Sequence, residues 1–114
     1  MLEKYNFLKR DKVIGILSYD DEDKKFNFEK ISKDINDYPL PFFFHRGFNE
    51  KVPEDILYNY LEERVIDKHY TGLNEVLDLI GIEKWDLYKI LKYNMGKTDR
   101  DQYWIDFNNP VDDK

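Results

Sequence analysis

Tyr38-Pro39-Leu40-Pro41-Phe42-Phe43-Phe44-His45-Arg46-Gly47-Phe48, then a short polar gap, then Pro53-Glu54-Asp55-Ile56-Leu57-Tyr58-Asn59-Tyr60-Leu61-Glu62-Glu63-Arg64: along this stretch the chain changes character. Prolines bound an apolar run, Pro41 to His45, that reads as a strand, and its leading proline suits a strand start or an edge. The chain turns at Gly47 and enters a helix at Pro53. Proline is tolerated there because first-turn N–H groups have no helical partner, and Glu54 and Asp55 complement the positive helix end. Everything before this stretch reads as β and nearly everything after it as α. That order predicts an α+β domain: an N-terminal antiparallel β-meander, a three-helix half and a closing C-terminal strand.

Upstream, Tyr5 to Lys9 and Lys12 to Tyr19 form two expected strands joined at Arg10-Asp11, the second rich in β-formers. The acidic cluster Asp20 to Asp23 makes a polar turn, and Lys25-Phe26-Asn27-Phe28-Glu29 alternates as a strand with one buried face. Downstream, Ile56, Leu57, Tyr60, Leu61 and Val65 form one apolar stripe, and Leu73, Val76, Leu77 and Ile80 form a second. Thr71 is placed to cap that second helix and Gly81 to end it. A third helix is expected over Lys84 to Tyr93, with Gly96 as its stop. Gln102 to Phe107 alternates again and should return to the sheet. The reading is one domain, core 4–107, with a polar tail at 108–114.

Size and charge narrow the function. A chain of 114 residues buries about two-thirds of its unfolded surface, enough for one modest core. Eight Phe, nine Tyr and two Trp are many for that core, so some aromatics are expected at the surface, where they serve interfaces well. The net charge of −6 disfavours nucleic acid and suits a basic protein partner. There is no cysteine, which excludes disulfides and thiolate chemistry. No signal-peptide pattern opens the chain and no apolar run approaches a membrane span, so a cytoplasmic protein is expected. The absence of alanine beside abundant Lys, Asn, Asp, Ile and Tyr fits an AT-rich bacterial or phage gene.

Catalytic inventory is thin. Ser18 and Ser32 are outside any nucleophile elbow, and His45 and His69 fit no zinc-ligand spacing. Counted from Asp21, the acidic run lacks the glycine and the glutamate of a calcium loop. No glycine-rich loop cradles a phosphate. Neither catalytic residue, cofactor nor metal is expected, and the chain should neither bind nor hydrolyse ATP.

Several short motifs together resemble the N-terminal subdomain of HipA-type kinase toxins. Asp11-Lys12-Val13-Ile14-Gly15-Ile16-Leu17 is similar to that subdomain's "Val-Gly-x-Leu" strand, and Phe26-Asn27-Phe28 to its Phe-containing strand. Tyr38-Pro39-Leu40-Pro41 followed by Ile56 to Leu61 resembles its "Pro-Leu-Ser-x-x-Leu-Pro" strand and helix. Trp85-Asp86-Leu87, Gly96 and Asp101-Gln102-Tyr103-Trp104-Ile105 stand where relatives have an aromatic-Asp-Leu step, a glycine turn and a closing strand. The family's Leu-Leu-Pro-Glu/Asp-Gly step is replaced here by Leu61-Glu62-Glu63-Arg64-Val65. Its Gly-Arg-Asp-x-x-Gly-Ala step is replaced by Gly96-Lys97-Thr98-Asp99-Arg100-Asp101.

In that family the ATP-binding and catalytic residues belong to a downstream kinase core. The resemblance therefore implies a free-standing counterpart of the subdomain, similar to the small HipS proteins, that binds and neutralises a HipA/HipT-like kinase encoded nearby. Two alternatives stand beside it: the N-terminal piece of a split kinase, needed for activity, and a small phage or mobile-element inhibitor of an unrelated bacterial protein. The partner surface is expected at element ends: Arg46 and Phe48, Glu62 to Arg64, His69, Tyr70 and Trp85. For Phe48 and Trp85 simple burial is the equal alternative, with Trp85 stapling the third helix to the second.

Overall fold

A computed structural model describes residues 2–30 and 52–111. In chain order its elements are β1 (Leu2–Lys9), β2 (Lys12–Asp20), β3 (Lys25–Lys30), α1 (Glu54–Glu62), α2 (Leu73–Leu79), α3 (Leu87–Asn94) and β4 (Tyr103–Ile105). The strands form one antiparallel sheet in the order β3-β2-β1-β4, so the meander and the returning C-terminal strand are both present. The strand expected at 41–45 lies outside the described residues.

Alternation explains the sheet's inner face. Tyr5 pairs with Leu17, Phe7 with Gly15 and with Ile105, Leu17 with Phe28, and Tyr19 with Phe26. All of these apolar side chains are buried, and full burial of each stabilises by about 1.5–3 kcal/mol. The register slips by one between Phe7 and Leu8, leaving Ile14 as the additional residue of a β-bulge. Without the slip, the pleat would aim Ile14 away from the inner face; with it, Ile14 is fully buried in the same cluster. Gly15 is glycine because a Cβ there would strike the Phe28 ring and stand 2.9 Å from the Glu29 carbonyl. That opening lets Phe28 meet Phe7 edge-on with centroids 5.2 Å apart.

Turns and caps follow local chemistry. The Asp20 carboxylate accepts the backbone N–H groups of Glu22 (3.0 Å) and Asp23 (3.4 Å), so the acidic run closes its own turn. The two-residue turn at Arg10-Asp11 puts Arg10 at a φ of 56°. It is anchored from β4: Arg10 donates to Gln102 through backbone and side chain, and Trp104 donates to the Arg10 carbonyl. Helix α3 begins at Leu87, later than the expected start at Lys84, because the Asp86 carboxylate accepts Lys89 N–H at 3.0 Å as its N-cap. Thr71 does not cap α2; Gly72 occupies that position at a φ of 90°. Gly81 does end it, with Ile82 N–H reaching the Leu77 carbonyl.

Helices α1 and α3 lie over the inner sheet face. Leu57, Tyr60 and Leu61 of α1 join Leu87 and Leu91 of α3 in the main core, while Leu77, Ile82 and Ile90 form a smaller one under α2. Aromatic contacts tie α3 to the sheet. Tyr88 stacks on Tyr19 at 3.8 Å between centroids, and the Tyr88 and Tyr5 hydroxyls are 2.6 Å apart. Among the described residues no helix is long and apolar enough to cross a membrane.

Candidate functional site

The end of α1 and the turn after it hold four of the expected contact residues, Glu62, Arg64, His69 and Tyr70, and the structure separates them sharply. Arg64 is 5% exposed. Its guanidinium donates from Nε to the Gly96 carbonyl, from Nη1 to the Tyr60 hydroxyl and Asp101 Oδ2, and from Nη2 to Asp101 Oδ1 and the Tyr103 carbonyl. All five donors are used at 2.6 to 2.9 Å, and the plane lies over the Tyr60 ring. These hydrogen bonds hold the Asp101 carboxyl below its ordinary value, partly opposed by burial. Burial in turn pushes the Tyr60 hydroxyl well above its own. The expectation that Arg64 belongs to an exposed partner surface is therefore corrected. Arg64 is a buried clamp joining the α1 end to the 96–103 return.

Neighbouring bonds reinforce the clamp. Asn94 donates to the Arg64 carbonyl at 3.0 Å, and Arg100 donates to the Glu63 carbonyl at 2.7 Å. Trp85, half-buried, packs against both cores and donates its indole N–H to the Ile66 carbonyl at 2.8 Å. It fixes the α1–α2 connection against the start of α3, where the alternative reading has it stapling the third helix to the second.

Past Ile66 the chain is held differently. Asp67 accepts the backbone N–H of His69 through its side chain at 2.8 Å and that of Tyr70 through its carbonyl at 3.0 Å. The turn is thus set by Asp67, through its carboxylate and its carbonyl, and the His69 and Tyr70 side chains are exposed, Tyr70 at 55%. Glu62, half-buried, lines an open groove of about 570 Å³ with Glu63, Asp67 and Arg100. Glu62 is thus separated from His69 and Tyr70 by the buried Arg64 and the half-buried Val65 and Ile66, while Arg46 and Phe48 lie outside the described residues.

Four exposed large hydrophobic residues among the described ones have no place in the expected set: Leu2, Tyr58, Leu79 and Tyr93, at 47%, 40%, 85% and 61% exposure. Tyr58 could have been found from its position two residues before the inward-facing Tyr60, which turns it away from the core. No group of three metal-ligating side chains occurs among the described residues. Comparison with family models, curated proteins and solved structures finds no match to the chain.

Proposed function

We propose that the chain is a non-catalytic, cytoplasmic interaction module that binds a HipA/HipT-like serine/threonine kinase encoded nearby and neutralises it. The observation that supports this reading is how the aromatic residues are shared out. Tyr5, Phe7, Tyr19, Phe26, Phe28, Tyr60 and Phe107 fill the core, yet Tyr58, Tyr70 and Tyr93 of the helical half remain exposed. Exposed tyrosine on a rigid scaffold is the residue type that most often anchors a protein partner. The resemblance in strand and helix motifs supplies the kinase as that partner. Co-expression with the kinase gene next to its own tests the reading. A complex surviving gel filtration, with the kinase's autophosphorylation suppressed, is the expected outcome. No complex, or a kinase fully active within it, would sink the proposal.

A further inference from the structure

Two adjoining hollows, of about 360 and 150 Å³, lie where the β2–β3 turn, α1 and the start of α3 meet, and both are lined by Lys24, Phe26 and Tyr58. Their apolar wall is aromatic: Phe26 and Tyr19 are buried at the back and the partly exposed Tyr58 forms one side. Their rim is charged. Lys25 pairs with Glu54 at 3.8 Å, and the other charged residues of the lining are Lys24, Asp55 and Asp86, two acids to one base. Burial raises the Tyr19 and Tyr58 hydroxyls above their ordinary value, Asp86 adds to both, and Glu62 adds to Tyr58 from one helical turn away. Aromatic faces bordered by an excess of carboxylate are complementary to a planar cation, because guanidinium stacks on a ring while its edge donates to carboxylate.

The molecule already contains that pairing once. Arg64 lies over the Tyr60 ring with its edge on Asp101. Tyr58 is on the same helix, turned outward instead of inward, with Asp86 lining the same hollow. The geometry points to this groove as the seat for an arginine side chain of a protein partner, stacked on Tyr58 and paired with Asp86. The inference rests on the interaction-module reading only in taking the ligand to be a protein segment, and the partner need not be a kinase.

The test is an amide chemical-shift titration of the full chain with blocked Gly-Arg-Gly-Arg-Gly peptide, against its Lys and Glu counterparts, at physiological ionic strength. Saturable shifts should centre on Lys24, Phe26, Tyr58 and Asp86, with the Arg peptide binding tightest and the Glu peptide not at all. Tyr58→Ala, at an exposed position, should weaken the Arg peptide by about threefold. Asp86→Asn, which keeps a capping side chain, should weaken it by about threefold as well. The inference is overturned if Lys and Arg peptides bind alike, if Tyr58→Ala has no effect, if the shifts centre on Glu62 to Asp67, or if nothing saturates. No kinase enters this experiment, so its failure leaves the kinase reading standing, and failure of the kinase complex leaves the groove standing.

Discussion

Residues 62–66 and 67–73 are adjacent in sequence, both carry charges of either sign, and are held by different physics. In the first segment the side chains do the holding: Arg64 reaches Gly96, Asp101 and Tyr103, and Ile66 receives Trp85. In the second the backbone turns on Asp67, and His69 and Tyr70 are left outside. A charged side chain at an element end is therefore structural or available according to whether another part of the chain comes back to meet it.

Removing Arg64 tests this contrast most severely. Arg64→Ala takes the guanidinium donor from the Gly96 and Tyr103 carbonyls and leaves Asp101 with the Tyr103 N–H but no cation, and should cost about 3–5 kcal/mol in denaturant unfolding. A loss below about 1 kcal/mol would break the comparison, since that is the range of an exposed pair. Asp101→Asn should cost less, about 2 kcal/mol, because its carboxylate is one-third exposed and only the charge is removed. Its pH dependence is more telling. The Asp101 carboxyl titrates below its ordinary 3.8 in the folded chain, so its contribution is complete above that value and disappears as pH falls through the lowered one. Wild-type stability should drop on acidification below about pH 4 more steeply than that of the variant, whose side chain does not titrate. Parallel acid limbs would show that the clamp carries no charge-dependent stability.

Smaller effects sharpen the boundary. Trp85→Phe keeps the ring packing but removes the donor to Ile66, and should cost about 1–2 kcal/mol with faster amide exchange confined to residues 66–73. Tyr70→Ala and His69→Ala should each change stability by less than about 0.5 kcal/mol. If the neutralising reading holds, Tyr70→Ala should weaken the kinase complex, measured by calorimetry, by about tenfold or more. Unaltered affinity in both variants would remove this turn from the proposed surface.

The sequence made the main core legible because its signals are local. Phe26 and Phe28 alternate, Leu57, Tyr60 and Leu61 recur with the helical period, and their burial agrees in each case. The Ile14 bulge was hidden, since one skipped residue in a run of β-formers leaves the composition unchanged. Thr71 was misleading because a left-handed glycine beside it made the helix start instead. The role of Arg64 was beyond any local pattern. Its carboxylate is at Asp101, on a segment that only the fold brings to it, and Glu62 and Glu63 offered nearer apparent partners. Of the candidate site, the exposed turn at His69 and Tyr70 was readable, whereas the groove at Tyr58 is assembled from three elements distant in sequence.

The Arg10 anchor carries a consequence for how the chain comes into being. The β1–β2 hairpin can form soon after its residues leave the ribosome, but Gln102 and Trp104 are made some 90 residues after the turn they hold. Pairings of such long separation are slow to close. Until they do, the nascent chain presents an open β1 edge and an Arg64 charge without its acceptors from the 96–103 return. A chain stalled on the ribosome after residue 100 should therefore be cut readily by protease, and one extended past Phe107 should resist. Equal sensitivity in the two would show that the last strand fastens a structure already complete, not one still waiting for its final strand.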